Sequence, residues 1–160
     1  MTHRMQPCDR GWTRSPDIAV IIQRGIARFA AVYPWANIYP AVNPEQDLGY
    51  LLLTATELLT LHPSIPASMH PACGHNDGPS WAECVGIATD NPALYFAGFL
   101  MPPARADEGI DLDAVYVPQP DPGDRYYTRA ITRPDGAICP PDEDGIEPID
   151  GRPYRRLWWD

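Results

Sequence analysis

The sequence predicts an α+β fold: an N-terminal helical layer of two main helices and a short third helix, packed on a short-stranded antiparallel C-terminal sheet. In the first half of the chain, apolar residues recur at helical spacing behind proline-led helix starts. From Gly109 onward, short segments rich in β-branched and aromatic residues alternate with Asp-Gly turn signals. Twenty of the 160 residues are proline, which indicates long Pro-rich loops. We therefore divide the chain into an N-terminal arm, 1–14, and one domain, 15–160, with a helical part, 15–90, and a β-rich acidic part, 91–160.

The first main helix is predicted between Ser15 and Pro34. Ser15 can cap the helix, Pro16 suits its first turn, and Pro34 ends it. One stripe of apolar residues follows at helical spacing: Ile18, Ile22, Ile26, Phe29 and Tyr33. The pattern predicts an amphipathic helix whose apolar stripe faces the core.

The second main helix is predicted from Asn43 to Pro63, where the same signals recur. Asn43 can cap it, Pro44 opens it, and Pro63 stops it. A wide apolar stripe lies between them: Leu48, Leu51, Leu52, Ala55, Leu58 and Leu59. We expect one continuous helix that packs on the first.

A short third helix is predicted after Pro79, because Ser80 and Glu83 stand in the relation of a capping box. The next apolar segment, 91–101, is compatible with either a helix or a buried strand. Its short length and its aromatic content favour the strand.

The segments after Gly109 are predicted to form an antiparallel meander or a partly irregular β layer. They read IDLDAVYV, RYYTRAITR, GAIC and PYRRLWW. Asp150 and Gly151 form a turn signal, which predicts a hairpin around them. Pro148 and Pro153 flank this turn, and we expect them to confine the hairpin to a sheet edge because proline donates no backbone hydrogen bond.

The segment HPACGHNDGPSWAEC, residues 70–84, holds two histidines and two of the four cysteines. Zinc takes four nitrogen or sulfur ligands, often delivered as close pairs. The candidate ligands here are Cys73, His75, Cys84 and His70, with Cys8, His62 or Cys139 as more distant additions. The spacing matches no paired C-x2-C pattern, and Cys84 also suits the apolar face of the third helix. We expect no cofactor; a structural zinc and a Cys73–Cys84 disulfide remain as alternatives.

Negative charge is concentrated in the C-terminal half of the chain. Residues 1–80 carry six acidic residues and five arginines, a net charge of −1, whereas residues 81–160 carry fifteen and seven, a net charge of −8. An acidic surface repels phosphate backbones, which argues against direct nucleic acid binding, and it attracts basic protein surfaces. The candidate partner-binding residues belong to the acidic segment and the aromatic C-terminus: Asp142, Glu143, Asp144, Glu147, Asp150, Arg155, Trp158 and Trp159.

Both segments have other interpretations. The acidic residues could lie in a solvated loop, or in a calcium site, although the twelve-residue calcium-loop pattern is missing. The two tryptophans could be exposed as interface hot spots, or they could cover the core while the neighbouring arginines point outward.

The sequence favours a non-enzymatic acidic protein-binding module that acts on a basic partner surface. It contains neither a G-x-S-x-G motif nor a phosphate-binding glycine loop. A signal-peptide pattern and a bilayer-spanning apolar stretch are also missing, so we expect a cytoplasmic protein without membrane partners. Small size and acidic charge are typical of inhibitors and of immunity or anti-defence proteins of phages and mobile elements. The alternatives are a structural accessory subunit of a larger assembly, such as a virion, and a small zinc-dependent enzyme built on the candidate zinc ligands.

Overall fold

A computed structural model of the chain describes residues 11–37, 49–66, 78–105, 108–119 and 141–159. These residues form three α-helices: α1 (Pro16–Val32), α2 (Ala55–Leu61) and α3 (Trp81–Asp90). They also form five strands: β1 (Gly49–Thr54), β2 (Tyr95–Met101), β3 (Gly109–Pro118), β4 (Glu143–Ile149) and β5 (Arg152–Trp158). The strands make one antiparallel sheet in the order β1-β2-β3-β5-β4. The predicted α+β class is confirmed.

Helix α1 occupies the predicted segment. It begins at Pro16, and Ser15 precedes it without making a side-chain capping hydrogen bond. The predicted apolar stripe is buried except for Ile26, which is 36% exposed. Ile26 lies against Gly49, which has no side chain to cover it.

The prediction of a second main helix is wrong in its first part. Residues Gly49–Thr54 form strand β1, which pairs with β2. The three central residues of β1 are fully buried: Leu51, Leu52 and Leu53. A strand that is covered on both faces has a continuous apolar run, which periodicity alone cannot distinguish from part of a helical stripe.

Helix α2 is the remainder of the predicted second helix. It begins at Ala55, because Thr54 and Glu57 form a capping box there. The Glu57 backbone N–H donates to Thr54 Oγ1, and the Thr54 backbone N–H donates to Glu57. This capping box is a sequence signal inside the segment that was predicted to be one helix, and it marks the start of α2.

Helix α1 covers the outer edge of β1. Gly25 allows the close approach, since a Cβ at this position would lie 3.1 Å from Leu53 Cδ2. The Arg28 side chain donates to the Leu52 carbonyl oxygen at 2.6 Å, and it forms two hydrogen bonds with Glu57 at 2.7 and 3.0 Å. The edge of the sheet at β1 is therefore occupied by a side chain of α1.

The sheet separates two groups of buried side chains. Helices α2 and α3 and the first half of α1 pack on one face, together with residues such as Ile22, Leu58, Cys84, Val115 and Leu157. The end of α1 packs on the other face, whose core contains Phe29, Tyr33, Leu52, Ala97, Ala114, Tyr116, Ile149 and Tyr154. One layer of helices and one sheet thus account for most of the described core.

The remaining predictions in the described residues are largely confirmed. Helix α3 begins with the predicted capping box, and segment 91–101 contains strand β2. Strands β4 and β5 form the predicted hairpin, whose turn residues Asp150 and Gly151 have φ angles of 51° and 74°. The edge prediction holds for β4, but β5 lies between β3 and β4. The predicted strands RYYTRAITR and GAIC lie outside the described residues.

The described end of the N-terminal arm is tied to the start of β3. The Glu108 carboxylate is 1% exposed and accepts hydrogen bonds from the Gly11 backbone N–H and from both the backbone N–H and the hydroxyl of Thr13. Among the described residues, no helix combines the length and the apolar character needed to cross a membrane.

Candidate functional site

The β4–β5 hairpin carries most of the residues predicted to bind a partner. Its register places Ile146 opposite Arg155 and Asp144 opposite Leu157. Opposite residues share one side of a sheet, and Leu157 belongs to the core under α2 and α3. We name the exposed and half-buried residues on that side of the hairpin the hairpin front: Asp144, Ile146, Pro148, Pro153 and Arg155.

The hairpin front has an apolar centre. Ile146 is 60% exposed, which makes it the most exposed large hydrophobic residue in the described part of the chain. Pro148 and Pro153 stand opposite each other beside it, and both are exposed. The three side chains form a small apolar area on an otherwise polar strand pair.

Asp144 and Arg155 form a bidentate ion pair beside Ile146, away from the two prolines. Arg155 donates from Nε to Oδ1 at 2.9 Å and from Nη2 to Oδ2 at 2.8 Å. The hydrogen bond from Arg155 outweighs the effect of burial and lowers the pKa of Asp144, so this carboxylate is ionised at neutral pH. Asp142 and Asp150 are exposed at the two ends of β4. Two further exposed carboxylates therefore lie at the ends of the strand.

The rear side of the hairpin is held by a polar network around Arg156. The Arg156 guanidinium lies 3.5 Å from a Glu147 carboxylate oxygen, and it stacks over the Trp158 ring at 4.7 Å. It also donates to the Tyr33 hydroxyl at 3.4 Å. The Tyr33 hydroxyl lies 2.7 Å from that of Tyr116, so the network reaches from the hairpin to the end of α1 and to β3.

Burial raises the pKa of Tyr33 and the pKa of Tyr116. Both hydroxyls therefore stay protonated at neutral pH, when they can donate hydrogen bonds but are poorly suited to act as general bases. This chemistry favours a role in positioning the hairpin against the rest of the domain.

A buried carboxylate that is not among the predicted site residues lies behind the hairpin. The register of β2 and β3 shifts between Ala97 and Gly98, which leaves Asp113 as an extra residue in β3. Asp113 is 4% exposed, and its Oδ2 accepts a hydrogen bond from Trp158 Nε1 at 3.1 Å. Gly98 is required at this bulge because a Cβ would overlap the Asp111 carbonyl oxygen. The bulge re-aims the Asp113 side chain towards Trp158.

Aromatic rings surround this carboxylate. The depression is lined by Phe29, Tyr50, Ala97, Gly98, Asp113, Ala114, Tyr116 and Trp158. The Phe29 and Tyr50 rings stack with centroids 5.3 Å apart, and Trp35 meets them edge-on at 5.9 and 5.5 Å. The depression leaves no room for a water molecule. In the described part of the chain, these rings therefore pack against one another and do not enclose an open ligand pocket.

The two tryptophans of the predicted partner-binding set lie away from the hairpin front. Trp158 is half-buried on the rear side, where Asp113 and Arg156 contact it. Trp159 is 1% exposed and belongs to the core on the side of α2 and α3. Of the other predicted residues, Glu147 also faces the rear network, and Glu143 is the first residue of β4.

The predicted zinc ligands are placed only in part. His70, Cys73 and His75 lie outside the described residues. Cys84 is 1% exposed on the buried face of α3, its Sγ lies 3.9 Å from the Pro79 carbonyl oxygen, and burial raises the pKa of its thiol. The described residues contain no group of three or more His, Cys, Asp or Glu side chains arranged to hold a metal ion. Cys84 thus faces the core, as a small hydrophobic residue would.

His62, named as a distant zinc ligand, has a structural contact instead. Its Nδ1 accepts a hydrogen bond from Trp81 Nε1 at 2.9 Å. This contact joins the end of α2 to the first residue of α3. It fixes the orientation of the His62 ring through Nδ1.

Two residues that matter at the hairpin were missed in the sequence. Ile146 is the only apolar side chain between Asp144 and Glu147, and this interruption of an acidic run is the signal that could have identified it. Asp113 carries the signal of a charged residue inside the apolar run IDLDAVYV, although its place in a bulge depends on pairing with β2.

No protein-family model matches the chain, and no similar curated protein or solved structure is found.

Proposed function

We propose that this chain is a non-enzymatic protein-binding module whose C-terminal hairpin docks on a basic surface of a partner protein. The observation that carries the proposal is Ile146, 60% exposed on a strand that has exposed aspartates at both ends. The module would act in the cytoplasm as an inhibitor or an immunity or anti-defence protein of a phage or mobile element.

The hairpin front resembles a protein interface in its arrangement. Interfaces combine an apolar centre with a polar rim, and a few central residues contribute most of the binding free energy. Ile146 and the two prolines supply such a centre, and Asp142 and Asp150 supply charge at its border. Residues 81–160 carry a net charge of −8, which would speed association with a basic partner at low ionic strength.

The rear network supports the same proposal, because binding is tighter when the interface is ordered before the partner arrives. Arg156 contacts Glu147 and Tyr33, so the two strands of the hairpin are joined to each other and to the end of α1. A surface held on strands in this way loses little conformational entropy when it binds.

The proposal is tested by affinity capture with the full-length chain, from a lysate of the organism that encodes it, at low and at high ionic strength. The variant Asp142→Asn/Asp150→Asn removes two exposed charges from the ends of β4. The matched control is Asp17→Asn/Asp90→Asn, which changes the net charge equally but on exposed residues of α1 and α3.

We expect one basic protein to be captured at low ionic strength and released at high ionic strength. The hairpin variant should weaken capture about fivefold, since each exposed charge pair contributes somewhat under 1 kcal/mol, whereas the control should change it little. Capture that is equal for both variants, or that does not depend on salt, contradicts the proposal.

A further inference from the structure

We infer that the partner contacts the side chains of the hairpin front, with Ile146 entering an apolar pocket bordered by arginine or lysine, and does not add a strand to the edge of β4. This inference rests on the proposed function.

The backbone directions at the edge of the sheet oppose strand addition. The Pro153 carbonyl oxygen accepts a hydrogen bond from the Gln119 backbone N–H at 3.1 Å, so the backbone polar group of Pro153 points towards β3. Pro148 stands opposite Pro153 in the antiparallel β4–β5 pair. Their positions therefore form a non-hydrogen-bonded pair, and the Pro148 nitrogen points to the outer edge of β4.

An incoming strand would find no backbone N–H donor at Pro148. Alternation along β4 places the backbone groups of Asp144, Ile146 and Pro148 on the outer edge. Pro148 has no N–H to donate there, and proline on an edge strand is one of the ways in which proteins prevent pairing with another chain. Strand addition would lose one backbone hydrogen bond and would bring another backbone against a proline ring.

The side chains of the front offer the partner a better contact. The Asp144–Arg155 ion pair lies on one side of Ile146 and the Pro148–Pro153 pair on the other. Two hydrogen bonds fix the Asp144–Arg155 pair. The pyrrolidine rings of Pro148 and Pro153 restrict the backbone on the other side. Ile146 thus projects from the surface between two residue pairs whose conformations are restricted.

Charge complementarity indicates what surrounds the partner's pocket. Asp142 is exposed just before β4 and Asp150 just after it, and Asp144 retains part of its exposure beside Arg155. A pocket with arginine or lysine at its rim would face these carboxylates, whereas an acidic rim would be repelled. The expected occupant is therefore a basic protein surface with an apolar depression.

The test uses a photo-crosslinking residue, benzoylphenylalanine, in place of Ile146 in the full-length chain, added to the lysate of the encoding organism. The matched control carries the same residue in place of Val20, which is 46% exposed on α1. Two capture variants accompany it: Ile146→Ser, matched by Val20→Ser, and Pro148→Val, which restores an N–H at the outer edge. Circular dichroism melting confirms that each variant folds.

Three results support the inference. The crosslink to the captured basic protein forms at position 146 and not at position 20, and it is lost at high ionic strength. The Ile146→Ser change weakens capture roughly tenfold, as the loss of one buried aliphatic side chain implies, whereas Val20→Ser does not. The Pro148→Val variant, which restores the outer N–H but alters the apolar centre, captures the partner no more tightly than the original chain.

Other outcomes overturn it in distinguishable ways. Salt-sensitive capture with crosslinking at position 20 only, or with stronger capture by Pro148→Val, overturns the front-facing mode and leaves the proposed function standing. Failure of the unmodified chain to capture any basic protein in a salt-sensitive manner overturns both.

Discussion

The hydroxyl groups of Tyr33 and Tyr116 lie 2.7 Å apart and join the end of α1 to the buried face of β3. Tyr116 is 1% exposed, so its hydroxyl depends on Tyr33 for this hydrogen bond. The Tyr33 hydroxyl also accepts from Arg156, which gives it a second partner. The two tyrosines are therefore unequal members of one network.

Replacing Tyr33 with Phe should destabilise the domain more than replacing Tyr116 with Phe. The first change leaves the Tyr116 hydroxyl buried without its hydrogen bond, at a cost of about 1–3 kcal/mol, whereas the second leaves Tyr33 with Arg156. Urea unfolding measures both, and the double variant should cost less than the sum of the two. Tyr50→Phe, at a ring that is 39% exposed, is the control and should change the free energy of unfolding little. Equal effects for all three changes would contradict the network.

Replacing Gly98 with Ala should be among the most damaging single changes in the sheet. A Cβ there would overlap the backbone at Asp111, and neither strand can move away without breaking the pairing around the bulge. We expect a loss of about 3 kcal/mol or more in the free energy of unfolding. Gly145→Ala is the matched control, because nothing lies within 4 Å of a Cβ at Gly145. It should leave stability unchanged or raise it by up to about 1 kcal/mol.

The Arg28–Glu57 pair should make stability depend on pH in the acid range. Burial alone would raise the pKa of Glu57, but hydrogen bonds from Arg28 and Thr54 outweigh it, and the pKa is lowered. A carboxylate with a lowered pKa binds fewer protons in the folded state than in the unfolded state, so its contribution is present above the unfolded pKa of about 4.3 and is lost as pH falls. The free energy of unfolding should therefore decrease between about pH 5 and pH 3.

The variant Glu57→Gln isolates this contribution. Glutamine can keep the capping box with Thr54 but cannot titrate. Urea unfolding over the same pH series should show a smaller decrease for the variant, and the part that remains includes Asp144, whose pKa is also lowered by Arg155. Identical pH profiles for the variant and the original chain would show that Glu57 has an ordinary pKa in the folded state.

Cys84 should react with alkylating reagents only when the domain opens. Its thiol is 1% exposed, and burial raises its pKa, so very little thiolate is available in the folded state. Iodoacetamide labelling followed by peptide mapping measures the rate at this cysteine alone. The rate should rise with urea in parallel with unfolding. Rapid labelling in native buffer would instead place the thiol at the surface, where a metal ion could reach it.

The elements that were predicted correctly are those with local signals. Helix α1 has prolines at both ends, α3 has the capping box of Ser80 and Glu83, and the hairpin has its Asp-Gly turn. Each signal acts within a few residues of the chain and does not depend on distant contacts. The class of the fold followed from these elements.

The elements that were missed depend on contacts between distant residues. The leucines of β1 are spaced as a helical stripe would be, which predicts a helix. Only pairing with β2 and coverage by α1 make this segment a strand. Residue type favours tryptophan over isoleucine at interfaces, yet Trp159 is buried and Ile146 is exposed. Which residue of a strand faces outward is decided by register and by the position of the helices.

The packing of α1 on the outer edge of β1 affects whether the sheets of two copies of this chain can pair. Arg28 occupies the outward carbonyl of Leu52 at one end of the sheet, and Pro148 withholds a donor at the other. Fibres that continue a sheet from molecule to molecule need both edges to be complementary. In the described part of the chain, each outer strand therefore lacks a free backbone group at one position, which hinders the addition of a second molecule's sheet there.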